Sequence, residues 1–190
     1  MSTKITGKKA LLEMLRAEGV THIFGNPGTS ESPFLDALED YPDLRYILAL
    51  QEGVAVGMAD GFARATNKAA FVQLHIDSGL ANGISLMIDA LNDGTPMVVV
   101  SGNYDTMKLA EYRADLPNLV RPVTKWSAEV TQAAQIPGVI RRAFNEANSD
   151  PKGPVYIALA TNALDGEAEI PSVVKPELAK VDINTTDQSD

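Results

Sequence analysis

Three short segments of this chain combine residue types that can do acid–base or binding chemistry. The first is Gly25-Asn26-Pro27-Gly28-Thr29-Ser30-Glu31. Its glycines and proline fix a tight backbone that a ligand can approach closely. It lacks the Gly-Lys-Ser/Thr of a phosphate-binding loop and the Gly-x-Gly-x-x-Gly of a dinucleotide site. An ordinary turn followed by a helix cap is the plain alternative. The second is Gln51-Glu52-Gly53, at the head of a helical stretch with Gly53, Gly57 and Gly61 four residues apart. Each glycine costs about 1 kcal/mol against alanine inside a helix, roughly 3 kcal/mol together. Close approach of another backbone or a flat ligand must offset that cost, and Ala55, Ala59 and Ala63 widen the opening. This predicts a tight helix pair, within the chain or across a subunit interface. At such a seam desolvation favours a protonated Glu52, while the helix N-terminus favours the anion. A solvated first-turn glutamate is the alternative. The third is Leu74-His75-Ile76-Asp77-Ser78-Gly79, with Asn82 just beyond. Imidazole titrates near neutrality, which makes His75 the strongest acid–base candidate in the chain. A satisfied structural histidine is the alternative, and Ser78 is the expected cap of the next helix.

These segments follow apolar runs that read as strands. Helical spacing marks Lys8 to Glu18, a short stretch opened by Ser32-Pro33, Glu52 to Ala65, Gly79 to Leu91 and Ile136 to Ala147. Between them lie β-prone runs at Thr21 to Phe24, Arg45 to Leu50, Ala69 to Leu74, Pro96 to Ser101, Arg121 to Lys125 and Pro154 to Ala160. Near-continuous apolar strands separated by helices imply an α/β fold. We expect a doubly wound parallel sheet of about six strands, with helices on both faces. Ligands bind such sheets beyond the carboxyl ends of the strands, where all three segments fall.

Composition removes other chemistries. There is no cysteine, so disulfides, thiolate metal sites and cysteine nucleophiles are excluded, and His22 and His75 alone cannot make a histidine-rich metal site. A formal charge of −9 argues against nucleic acid and anionic membrane as partners. No apolar run approaches the roughly 18 residues of a bilayer span. The opening Met1-Ser2-Thr3-Lys4 has no signal-peptide character, so a cytoplasmic location is expected. Residues 161–190 carry seven acids against Lys175 and Lys180, a net of −5. They read as an acidic linker or tail after a domain spanning 1–160.

Several blocks occur in order: Gly-Asn-Pro-Gly at 25–28, Arg-Tyr-Ile-Leu-Ala-Leu-Gln-Glu at 45–52, Ala-Asp-Gly-Phe-Ala-Arg at 59–64, Gly79-x-x-Asn82 and Gly-Pro-Val-Tyr-Ile at 153–157. Over about residues 4–160 the chain resembles the pyrimidine-binding domain of thiamine-diphosphate enzymes. Asn118-Leu119-x-Arg121-Pro122 and Lys125-Trp126-Ser127 direct the resemblance to the benzoylformate decarboxylase branch, in the group with acetolactate synthase and pyruvate decarboxylase. The resemblance implies that Glu52 is the cofactor-activating glutamate. That carboxyl donates to the pyrimidine N1′ and promotes the imino form, which takes the thiazolium C2 proton and gives the ylide that attacks a 2-oxo acid. It further implies that Pro27 and Gly28 line the pyrimidine site together with Glu52 and Asn82, and that His75 shuttles protons at the substrate. Thr29 stands near the substrate carboxylate, where that branch has a serine. Asn118, Leu119 and Arg121 match a loop that holds a structural cation. The Glu52–Ala65 helix matches the family's dimer interface, so a homodimer is expected.

One departure shapes the functional reading. The family's diphosphate and Mg2+ are held by a Gly-Asp-Gly segment on another domain, and this sequence has none. The expected function is therefore the pyrimidine-binding half of a thiamine-diphosphate-dependent 2-oxo acid decarboxylase or carboligase. It needs a diphosphate-binding domain or subunit, as an excised domain or as part of a split enzyme. The alternative is a non-catalytic assembly or regulatory domain of the same fold.

Overall fold

A parallel sheet forms where the apolar runs predicted one. The computed structural model describes residues 2–108 and 113–171. In chain order its elements are β1 (Ser2–Thr6), α1 (Gly7–Ala17), β2 (His22–Asn26), α2 (Ser32–Leu38), β3 (Arg45–Leu48), α3 (Glu52–Thr66), β4 (Ala70–Leu74) and α4 (Ser78–Asn92). There follow β5 (Met97–Asn103), α5 (Leu116–Val120), β6 (Trp126–Val130), α6 (Ile136–Asn148), β7 (Pro154–Ala160), α7 (Thr161–Asp165) and β8 (Glu167–Pro171). Short 3-10 turns occupy Thr29–Glu31, Arg121–Val123 and Ala133–Gln135.

The main sheet runs β3-β2-β4-β5-β7-β6, with every pair parallel. From β2 the chain moves outward to β3. From β4 it moves the other way, to β5. The reversal makes a crevice between the carboxyl ends of β2 and β4, the place where open α/β sheets bind ligands. Asn26 pairs with Leu74 across that line, so the Gly25–Glu31 loop and His75 leave adjacent strand ends.

Strands β4, β5 and β7 are buried at every position, because their side chains alternate between two faces that are both covered by helices. Phe71, Val98 and Ile157 pack with Leu11, Leu15, Phe34, Ile140 and Phe144 of α1, α2 and α6. Val72, Val99 and Tyr156 pack on the other face with Val56, Leu80 and Met87 of α3 and α4.

Several elements differ from expectation. The run at Arg121–Lys125 is not the fifth strand. Pro122 has no N–H for a ladder, the segment turns, and the strand is Trp126–Val130 at the sheet edge. Asp77, not Ser78, caps α4, its carboxylate accepting the Ser78 N–H at 2.5 Å. Ser32 does open α2, and its hydroxyl donates to the Thr29 carbonyl. The folded chain also continues past the Thr161 boundary. Ala163, Leu164 and Ile170 are buried, and β8 pairs antiparallel with β1. The acids that suggested a tail point outward there, and Glu167 pairs with Lys4 at 2.7 Å. The rest of the acidic segment, 172–190, lies outside the described residues. Among the described residues no helix is long and apolar enough to cross a membrane.

The helix pair predicted from the glycine spacing forms inside the chain, between α3 and α4. A Cβ on Gly53 would come to 3.3 Å from the Asn82 carbonyl oxygen, and one on Gly57 to 2.9 Å from Leu86. Gly61 faces open space.

Candidate active site

Glu52 is the first residue of α3, placed where β3 has just ended beside β2. Gln51 caps the helix by accepting the Val54 N–H at 2.9 Å. Although its side chain is a carboxyl, Glu52 is only 8% exposed. Its two oxygens are held by two amides: Asn26 Nδ2 donates to Oε1 at 2.9 Å, and Asn82 Nδ2 to Oε2 at 3.1 Å. The N-terminal end of α3 adds the positive end of its dipole. Gly79 leaves the space this carboxyl occupies, since a Cβ there would lie 2.8 Å from Oε1. A carboxyl fixed from two sides in this way keeps acceptor capacity free on both oxygens. It can hold or exchange a proton with a ring nitrogen placed against it.

His75 leaves the end of β4, and its side chain is one-third exposed. Its Nδ1 lies 2.9 Å from Glu31 Oε2. The imidazole lies against the Gly25–Glu31 loop, and a Cβ on Gly28 would be 2.0 Å from Nδ1. Only glycine permits that approach. Glu31 itself is 2% exposed. It accepts hydrogen bonds from Gly28 N–H (2.9 Å), Ser30 Oγ (2.8 Å) and Gly102 N–H (2.7 Å). Beneath the loop, Tyr46 Oη donates to Gln73 Oε1 at 2.5 Å. Burial, and secondarily the Glu31 charge, push the Tyr46 phenol above its usual range, so it remains a neutral donor.

Glu52, Asn82, His75, Pro27 and Gly28 therefore meet around one crevice. Thr29 is exposed on the same loop. Sequence reasoning assigned no role to Asn26 or Glu31. Both stand inside the first motif, but their partners are 26 and up to 71 residues away. Asn118, Leu119 and Arg121 are elsewhere, on α5 and the turn leading to β6, the edge strand opposite β3. Asn118 and Arg121 line a cavity of about 570 Å³ with Asp115, Lys125 and Trp126. A second cavity, about 660 Å³, lies at the amino ends of the strands beside Glu18, Lys68 and Lys152. Neither is lined by Glu52 or His75. Among the described residues no group of three or more His, Asp or Glu comes together to hold a metal.

Comparisons with known proteins cover most of the chain. Residues 5–125 match the family described as thiamine pyrophosphate enzyme, N-terminal TPP binding domain. A benzoylformate decarboxylase of Pseudomonas aeruginosa is 40% identical over 160 residues, which is 81% of this chain and 30% of that protein. A probable acetolactate synthase large subunit of Methanocaldococcus jannaschii is 36% identical over 180 residues, 93% of this chain and 30% of that protein. The solved thiamine diphosphate-dependent 4-hydroxybenzoylformate decarboxylase of Rhodococcus jostii superposes with a TM-score of 0.81 at 35% identity, over 88% of this chain and 32% of that one. The chain thus spans about a third of the length of these relatives.

Proposed function

Because the chain belongs to the N-terminal TPP-binding domain family of thiamine pyrophosphate enzymes, we propose that it is the pyrimidine-binding part of a 2-oxo acid decarboxylase or carboligase. The observation that carries this reading is the Glu52 carboxyl, buried at the switch point and held by Asn26 and Asn82. The crevice fits the pyrimidine end of thiamine diphosphate: a buried carboxyl at a helix start, facing a loop that Gly28 keeps low. It does not fit the diphosphate and Mg2+, since the described residues hold no acidic cluster and the sequence has no Gly-Asp-Gly. Those groups belong to a diphosphate-binding domain or subunit.

Bound in the crevice, the cofactor would supply a nucleophilic carbon for the 2-oxo acid carbonyl and an electron sink for the pair left behind as CO2 departs. The chain's residues do the rest. Glu52 holds and moves a proton at a pyrimidine nitrogen. The Pro27 and Gly28 backbone lines the ring, and Asn82 keeps Glu52 aimed. His75 holds or delivers a proton at the substrate, and the Thr29 hydroxyl contacts its carboxylate. A structural cation at Asn118, Leu119 and Arg121 would be held by oxygens, because a guanidinium cannot ligate it.

The division of labour is tested by calorimetry. Thiamine diphosphate with Mg2+ is expected to bind the pure chain negligibly, and to bind once a Gly-Asp-Gly domain is added. Micromolar, Mg2+-dependent binding to the chain alone would contradict it.

Self-association is part of the same reading. Leu48, Leu50 and Val54 beside Glu52 are 61%, 92% and 53% exposed, and Gly61 lies open one helical repeat beyond Val54. Such exposed apolar residues next to a site support an interface, here one between two copies of α3. Gly57 packs within the chain, so substitution there would disturb the fold. Val54→Asp and Gly61→Leu spare the α4 contact and are expected to weaken the dimer in sedimentation. A wild-type chain that sediments as a monomer would refute the interface.

A further inference from the structure

The proposed function gives His75 a task at the substrate but does not say which ring nitrogen performs it. The neighbourhood of Glu31 does. Three of the four groups around its carboxyl oxygens are Gly28 N–H, Gly102 N–H and the Ser30 hydroxyl. The two main-chain amides are donors by constitution and cannot reverse. The fourth is His75 Nδ1, at 2.9 Å from Oε2. A carboxylate only accepts, so the contact is a hydrogen bond when Nδ1 carries the hydrogen. In an imidazole, the bond made by one nitrogen decides the role of the other. Nε2 has no hydrogen-bond partner among the described residues, while the Nδ1 side of the ring faces Gly28 and the buried Glu31.

We propose that Glu31 is a positioning residue, whose carboxylate fixes His75 as the tautomer protonated on Nδ1 and so makes Nε2 the nitrogen offered to the substrate. The word substrate rests on the functional reading above; the tautomer does not. The same carboxylate ties the β2 loop, through Gly28, to the end of β5, through Gly102. His75 leaves β4 between them. One buried side chain therefore sets the relative position of three strand ends at the crevice. The ring's two restraints, the flat Gly28 and the Glu31 bond, come from a single loop, so position and protonation pattern are fixed together.

Long-range proton–nitrogen NMR on the 15N-labelled chain reads the tautomer directly. His22 and His75 are the only histidines, and a His22→Gln variant identifies each ring. At a pH where the imidazole is neutral, His75 is expected to show Nδ1–H over Nε2–H by about tenfold or more, the worth of a hydrogen bond to a charged group. In Glu31→Gln the preference should fall at least tenfold, with the amide dispersion of a folded chain retained. A wild-type His75 carrying its proton on Nε2 overturns the proposal without any variant. So does a folded Glu31→Gln with an unchanged tautomer. If the tautomer behaves as stated but the assembled wild-type enzyme has no activity on 2-oxo acids, the functional reading fails and the positioning role stands.

Discussion

Replacing Glu52 by glutamine is expected to reduce 2-oxo acid turnover of the assembled enzyme by about 10²–10⁴-fold, the usual loss for a removed general acid–base group. Glutamine keeps the size of the side chain but cannot move a proton. It also disturbs the amide clamp. Asn26 and Asn82 each donate to one carboxyl oxygen, so a glutamine NH2 must face one of these donors. The mismatch costs about 1–3 kcal/mol unless an asparagine turns over. Denaturant midpoints should therefore be measured beside kinetics, because loss of turnover in a chain that remains folded is the chemical effect. Glu52→Asp keeps the proton and shortens the reach, and should retain part of the activity. Turnover within a few-fold of wild type in Glu52→Gln would remove Glu52 from the reaction.

The second large effect is expected at Gly28. An alanine Cβ would sit 2.0 Å from His75 Nδ1 and 2.2 Å from Cε1, far inside contact distance. The imidazole is the more movable partner, because the loop backbone is held by Glu31 from both β2 and β5. The ring must swing away and give up its Glu31 bond. A displacement of that size at a reacting group costs on the order of 10²-fold in rate. Overpacking should cost about 1–3 kcal/mol in stability. Glu52, held by its own asparagines, is not displaced. Substrate turnover should thus fall in Gly28→Ala, while proton exchange at the cofactor C2 continues. Unchanged turnover would show that His75 has no task at the substrate.

Much of the sheet was legible in the sequence because its central strands are buried on both faces, and β4, β5 and β7 accordingly read as continuous apolar runs. Strand β6 was not. Trp126-Ser-Ala-Glu-Val is mostly half-buried at the edge and carries polar residues, so the apolar pattern fails there. Helices α5 and α7 are five residues long, too short for a 3.6-residue period to appear. The charge count misjudged 161–171 because a strand with outward acids and a buried Ile170 looks locally like an acidic arm. At the site, Glu52 and His75 were visible as titratable residues at strand ends. Asn26 and Glu31 were hidden by their context, since an asparagine in a turn and a glutamate at a helix start have common local explanations. Their roles depend on partners that only the β2–β4–β5 order brings near. The α3 glycines announced a close approach, but only the fold could assign Gly53 and Gly57 to α4 and leave Gly61 open.

Activation of the cofactor by Glu52 from this crevice leaves a signature at the cofactor C2 proton. Its most direct test is the exchange of the thiamine diphosphate C2 proton in deuterated water, followed by proton NMR with the chain, Mg2+ and the diphosphate-binding domain present. Rapid exchange is expected with the wild-type chain, a loss of about 10²–10⁴-fold with Glu52→Gln, and near wild-type exchange with His75→Ala. Near wild-type exchange in Glu52→Gln would contradict activation by Glu52.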